Sequence, residues 1–157
     1  LPNGSTSYYA RSRRDLIRLV MEQLSAESQA DLTDIEVLGK LTVRQATDLV
    51  GRLAERLILN GDAQAARFAL MFEVRDDDEL RRELTVDAPV RRSFDEKAVE
   101  LLRALGVADP EEKAPEFVAL VDAVLMYRAV DAAPIDPAGV VETYLDGLVR
   151  RKPTAAR

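Results

Sequence analysis

The sequence predicts an all-α protein. Apolar side chains recur every three or four residues through most of the chain, as in Val43, Ala46 and Val50. Residues that start and stop helices separate these stretches, and no β-hairpin dipeptide lies between alternating strands. With 157 residues and 47% apolar content, the chain is long enough to fold as one domain around one core.

Each predicted helix begins beside a residue that can accept a hydrogen bond from a first-turn amide. In chain order these starts are Ser12 with Asp15, Thr42 with Gln45, Asp62, the acidic run 76–79, Asp87, Asp109 before Pro110, and Asp136 before Pro137. We expect the first helix at about 13–29, a connection over 31–41, a stop at Asn60 and Gly61, and a stop at Gly106. The sixth helix is expected at about 110–131, before the break at 132–134.

The last two predicted helices have more apolar surface than a small domain needs. The helix at about 110–131 is apolar almost all round, and the next has one apolar stripe. Either a second copy covers them in a homodimeric four-helix bundle, or the sixth helix is central within one chain. We expect the homodimer, because aromatic and Met residues cluster there. The predicted interface residues are Phe117, Val121, Val124, Val141, Tyr144, Leu145 and Leu148.

Composition argues against catalysis. The chain has no cysteine and no histidine, which excludes a cysteine nucleophile and a thiolate metal site and removes the commonest general base and the commonest metal ligand. It also lacks a glycine-rich phosphate loop and a calcium-loop spacing. We therefore expect no enzyme activity, no cofactor and no metal. No apolar run approaches the ~20 residues that a bilayer span needs, and no signal peptide is visible, so a cytoplasmic protein without a membrane partner is expected.

Charge is distributed unevenly along the chain. Four arginines stand against Asp15 alone within residues 1–18, although the whole chain has a net charge of -6. A basic end on an acidic body indicates that this end meets an anion. The alternative is a solvated helix end together with a disordered tail.

The opening stretch, "LPNGSTSYYARSRRDLI", resembles the recognition helix and the following helix start of TetR-family transcriptional regulators. The matching residues are Pro2, Gly4, Ser5, Ser7, Tyr8, Ser12, Arg13 and Leu16. Ala10 departs from the family, which has an aromatic residue there. The resemblance implies a recognition-helix remnant at 1–11, an effector-binding and dimerisation domain at 12–150, and a disordered tail at 151–157. It also implies that the family's first two helices precede Leu1.

For this opening stretch the resemblance implies contact with operator DNA. A recognition helix lies in the major groove, where small and hydroxyl side chains reach base edges and phosphates. An arginine at the next helix start would grip the backbone. The expected DNA contacts are Asn3, Ser5, Thr6, Ser7, Tyr8, Tyr9 and Arg13. The alternatives are core packing for Tyr8 and Tyr9 and a simple turn for Asn3.

The resemblance also implies an effector pocket between the middle helices. Such pockets are mostly apolar with a few polar groups. The candidate pocket residues are Leu24, Leu53, Phe68, Met71, Phe72, Phe94, Leu125 and Tyr127, each of which could instead be ordinary core. Arg67, Asp122 and Arg128 could supply the polar groups or pair with one another. The implied function is a homodimeric repressor released from DNA by a small apolar effector. The alternative is a helical dimerisation or adaptor module that does not bind DNA.

Overall fold

The computed structural model describes residues 12–59 and 61–150. This described part contains seven α-helices and no strand, which confirms the all-α prediction. The helices are α1 (Arg13–Thr33), α2 (Val43–Leu59), α3 (Gly61–Glu73), α4 (Asp78–Leu84), α5 (Pro89–Ala104), α6 (Pro110–Ala129) and α7 (Pro137–Arg150). The predicted recognition-helix remnant at 1–11 and the predicted tail at 151–157 lie outside the described residues.

Most predicted helix starts are formed by the expected side chains. Ser12 Oγ accepts a hydrogen bond from the Asp15 amide at 3.1 Å. At the start of α2, Gln45 Oε1 accepts from the Thr42 amide at 2.9 Å, and Thr42 Oγ1 accepts from the Gln45 amide at 3.3 Å. Both capping boxes therefore satisfy amides that the helix leaves without partners. The break predicted at the acidic run is also confirmed, with Asp77 as the N-cap of α4.

Some predicted boundaries were wrong by a few residues. Helix α1 continues to Thr33, because the buried Leu32 keeps its last turn on the core. Helix α5 begins after Ala88 rather than at Asp87, since Pro89 occupies its first turn. Asp109 precedes α6, but its side chain makes no capping hydrogen bond and its backbone is left-handed, with φ of 52°.

Helix α6 is central within the single chain. It packs against α5 most extensively and also meets α2, α3 and α7. Its buried residues Phe117, Val118 and Leu125 belong to core clusters that include side chains from these neighbours. Most of the apolar surface of α6 is therefore covered by other helices of the same chain. The sequence left this arrangement open as the alternative to a homodimeric bundle.

The stripe on α7 is also used internally. Leu145 is fully buried, and Val141 and Leu148 are 3% and 8% exposed. These residues share a core cluster with Ala46 and Val50 of α2. Phe117 and Val124 of α6 are likewise buried, at 3% and 6% exposure. These five side chains are covered by their own chain, which leaves little of their surface for a partner. Their placement at a subunit interface stays a prediction. Val121 and Tyr144 are half-buried.

Helix α1 lies along one side of this core. The N-terminal half of α1 packs with α4 and the α3–α4 connection through Ile17, Met21, Val74 and Leu80. Its C-terminal end reaches the second cluster at Leu32. Among the described residues, no helix combines the length and apolarity needed to cross a bilayer.

Candidate functional site

A cavity of about 480 Å³ lies between the helices. Helices α1, α2, α3, α5 and α6 and the α4–α5 connection all contribute to its wall. Most of the wall is aliphatic, and Phe94 and Phe117 are its aromatic residues. The volume falls in the range of small-molecule sites in proteins. The cavity is therefore suited to an apolar ligand of moderate size.

One part of the wall carries a connected polar group. Arg67 Nη2 donates to Asp122 Oδ1 at 2.8 Å, and Arg67 Nε donates to Gln64 Oε1 at 3.1 Å. Arg91 bridges two carboxylates, with Nη1 at 3.5 Å from Asp122 Oδ2 and Nε at 3.3 Å from Asp95 Oδ2. The charged members are 22–33% exposed. This polar quartet, defined as Arg67, Asp122, Arg91 and Asp95, joins α3, α5 and α6.

The structure separates the eight predicted effector residues into two sets. Leu53, Met71, Phe94 and Leu125 line the cavity. The other four lie away from its wall, and the residues of this second set are Leu24, Phe68, Phe72 and Tyr127. Whether any of the eight contacts a ligand stays a prediction.

The residues of the second set lie away from the wall for different reasons. Phe68 is buried in the core under the Arg67 guanidinium, which lies 4.3 Å from its ring centroid. Leu24 packs beside the core cluster of α1, α3 and α4. Phe72 and Tyr127 are 64% and 44% exposed, so they point away from the interior.

Sequence reasoning named Leu24 of α1 as a pocket residue but missed the residues of this helix that line the cavity. Met21, Ser25 and Ser28 of this helix line the wall, and Ser28 is 8% exposed. The only signal was a pair of small hydroxyl residues next to the apolar face of the helix. It also left open whether Arg67 and Asp122 pair with each other, and the structure shows that they do. Arg128, the third candidate, is exposed and does not line the cavity.

A second charged feature joins the N-terminal turns of α1 to α3 and α4. Arg13 forms an ion pair with Glu73. Arg14 Nη2 lies 2.7 Å from Asp77 Oδ1 and 3.0 Å from Glu79 Oε2, and the Arg18 guanidinium donates three hydrogen bonds to Glu83. The charged groups of these pairs, from Arg13 to Glu83, are named here the α1 latch.

Two carboxyls of the α1 latch have shifted pKa values. The hydrogen bond from the Leu80 amide holds the pKa of Asp77 below its ordinary value; burial opposes this effect, and the Arg14 guanidinium adds to it. The Arg18 guanidinium lowers the pKa of Glu83 in the same way. Both carboxylates are therefore more stable in their charged form when the chain is folded.

The α1 latch and the cavity share structural elements. Glu83 directly precedes Leu84 and Thr85, and both of these line the cavity. On the other side, Arg18 lies one turn before Met21 on α1, which also lines it. A ligand that displaced this wall would therefore act on both partners of the Arg18–Glu83 pair.

Of the DNA contacts expected from the sequence, Arg13 is the one that the structure describes. Its side chain is 74% exposed in spite of the ion pair with Glu73. The other expected contacts lie outside the described residues, and these are Asn3, Ser5, Thr6, Ser7, Tyr8 and Tyr9. Within residues 12–59 and 61–150, no group of three or more histidine, cysteine, aspartate or glutamate side chains could hold a metal ion.

Fold and cavity together define a helical ligand-binding domain. A family model described as the tetracyclin repressor-like, C-terminal domain matches residues 41–151. The chain belongs to this family and is a TetR-family regulator. No curated protein and no solved structure shows significant similarity to it. Members of the family are regulators rather than enzymes, and they generally act as homodimers that bind DNA and small molecules.

Proposed function

We propose that the protein is a cytoplasmic, ligand-responsive repressor without enzymatic activity. It binds operator DNA as a homodimer, and a small, mainly apolar effector in the cavity releases it. The opening stretch reads the operator, with Arg13 on a phosphate. The family supports regulation in general, and the finer statements rest on the arrangement of α1.

The observation that carries this proposal is the position of α1 between cavity and recognition segment. Met21, Ser25 and Ser28 bring α1 into the cavity wall, whereas Arg13 begins the helix directly after the stretch that resembles a recognition helix. A ligand can shift an equilibrium only by binding two conformations differently. Because α1 touches the ligand space at one end, a change in its tilt would move the DNA-reading end.

The dimer is proposed to form through the outward faces of α6 and α7. Tyr127, Val130 and Val149 remain 44%, 59% and 43% exposed after the chain has folded. Tyr144 is half-buried on α7, whereas Val121, half-buried on α6, lines the cavity. Such exposed apolar surface is typical of an interface, and a second copy would bury more than about 1,000 Å².

Sedimentation of matched variants tests this dimer. Tyr127→Glu should lower the sedimentation coefficient to that of a monomer, because a carboxylate at the seam would lose its hydration. Phe72→Glu is the control, since Phe72 is more exposed than Tyr127, at 64% against 44%, but belongs to α3. A parent protein that sediments as a monomer at tens of micromolar would remove the dimer from the proposal.

DNA binding is tested with the product of the complete open reading frame and duplexes selected from a random pool. Arg13→Ala should weaken binding to selected and scrambled duplexes alike and reduce the salt slope by about one unit, as expected for one phosphate contact. Thr6→Ala should change the preference among base pairs at one position of each half-site. Arg52→Ala is the control, because Arg52 is exposed on α2 and makes no ion pair with any described residue.

Two results would contradict the regulator. If no duplex is enriched over the random pool, the protein is instead a helical dimerisation or adaptor module that does not bind DNA. If Arg13→Ala leaves affinity and salt slope unchanged, Arg13 serves only the ion pair with Glu73.

A further inference from the structure

The polar quartet has occupied acceptors and spare donors. Each Asp122 oxygen receives one arginine, and Asp95 Oδ2 receives Arg91. Asp95 Oδ1 has no partner, but it is buried away from solvent and so is closed to a molecule in the cavity. Gln64 Oε1 is taken by Arg67. A ligand donor in this cavity would therefore have to share each Asp122 oxygen with an arginine.

The two arginines still have N–H groups to offer. A guanidinium has five N–H donors in a fixed fork. Arg67 uses Nε and Nη2, and Arg91 uses Nε and Nη1. Among the contacts of the described residues, Arg67 Nη1 and Arg91 Nη2 make no hydrogen bond, and neither atom is sealed from solvent. The quartet therefore offers free hydrogen-bond donors, which would suit a ligand group that accepts hydrogen bonds.

Arg91 is the more available of the two arginines. Its two contacts, at 3.3 and 3.5 Å, are longer than the 2.8 Å contact of Arg67 with Asp122. Charge-assisted hydrogen bonds usually measure about 2.7–2.9 Å. Arg91 Nη2 could therefore donate to a ligand while Asp122 stays paired with Arg67 and Asp95 stays paired with Arg91.

The charges around the wall balance. Arg67, Arg91 and Lys97 line the cavity against Asp95 and Asp122. Lys97 is paired with Glu100 at 2.7 Å, which offsets the one excess positive charge of the wall. A single negative charge beside Arg91 is thus tolerated, whereas an added cation would face guanidinium groups.

We propose that the cavity binds an aliphatic monocarboxylate. Its carboxylate oxygens accept hydrogen bonds from Arg91, with Arg67 beside it, and its chain lies against aliphatic side chains such as Leu53, Val118 and Leu125. The wall has few aromatic residues to stack on a planar ligand. This inference rests on the proposed function, in which the same cavity holds the effector.

A head-group series on one tail tests the ligand class in the 157-residue chain. Decanoate, methyl decanoate, decan-1-ol and decylamine are titrated calorimetrically below their micellar concentrations. Decanoate should bind most tightly and decylamine most weakly. Equal or tighter binding of the alcohol or the amine would overturn the proposal.

Arg91→Gln tests the site. It should weaken decanoate binding at least about tenfold, as expected for one charge-assisted hydrogen bond, and should leave decan-1-ol binding within about twofold. Arg92→Gln is the matched control, because Arg92 is exposed and donates to the Asp87 carbonyl outside the quartet. Unchanged decanoate affinity in a folded Arg91→Gln protein would overturn the site. If Arg91→Gln does not fold, the order of binding affinities of the four compounds for the parent protein decides whether the proposal stands.

DNA release separates this inference from the proposed function. If decanoate binds through Arg91 but never releases selected duplexes, the ligand class stands and the repressor mechanism fails. If decylamine or another non-acidic compound binds and releases them while decanoate does not, the mechanism stands and the ligand class is wrong.

Discussion

The Arg18 guanidinium holds the Glu83 carboxylate through three hydrogen bonds, from Nε at 2.9 and 3.0 Å and from Nη2 at 2.8 Å. This bidentate geometry ties α1 to the last turn of α4. The Arg18 side chain is 31% exposed and that of Glu83 is 45% exposed, so the pair is partly shielded by the chain. It fixes the orientation of α1 next to the cavity wall at Leu84.

Removing the charge of Glu83 should loosen the start of α1. Glu83→Gln leaves Arg18 with a weaker acceptor, so amide hydrogen exchange in the first two turns of α1 should accelerate relative to the parent. Glu22→Gln is the control, since Glu22 is exposed on the same helix and has no partner among the described residues. Equal exchange rates in Glu83→Gln and the parent would show that core packing alone holds the helix.

Acid should weaken the protein partly through the α1 latch. The pKa values of Asp77 and Glu83 are lowered on folding. Their stabilising effect is therefore complete above the unfolded pKa values of about 3.9 and 4.3, and it is lost as the pH falls through the lower folded values. Urea unfolding at pH 7 and pH 3 should show a smaller acid loss in Asp77→Asn/Glu83→Gln than in the parent. The same loss in both proteins would place the acid sensitivity elsewhere.

Leu145 should act as a core residue rather than as a dimer contact. It is fully buried within one chain, so Leu145→Ala should lower the free energy of unfolding by about 2–5 kcal/mol. Leu59→Ala, at an 85% exposed position at the end of α2, should change it by less than about 0.5 kcal/mol. Urea unfolding measures both. Dissociation of a dimer by Leu145→Ala without loss of stability would return this residue to the subunit seam.

Gly106 should resist replacement because of its backbone. Its φ is +75°, and the amides of Gly106 and Val107 donate at 3.0 Å to Arg103 and Leu102, which closes the end of α5. Gly106→Ala should cost about 1–2 kcal/mol in unfolding free energy, although no atom lies within 4 Å of the added Cβ. The control Gly51→Ala, within α2 and equally open, should stabilise by about 0.5–1 kcal/mol. Equal stability of the two variants would contradict the backbone argument.

Helix starts and stops could be read from the sequence because their signals act within one turn. Ser12 caps through an amide three residues away, and Thr42 and Gln45 exchange bonds over the same distance. Gly106 ends α5 by its own conformational freedom. The all-α class followed from the sum of such local signals, and the resemblance at the first residues pointed to the family that the match over 41–151 shows.

The partners of each helix were decided only by the tertiary structure. Apolar spacing indicated that Leu145 and Phe117 are buried. It does not indicate whether another helix of the same chain or a second copy buries them. The pairing of Arg67 with Asp122 spans 55 residues and that of Arg18 with Glu83 spans 65. Such contacts arise where packed helices cross, and no periodicity within one helix encodes that crossing. The same reason explains why the cavity wall includes Ser28 and excludes Phe72.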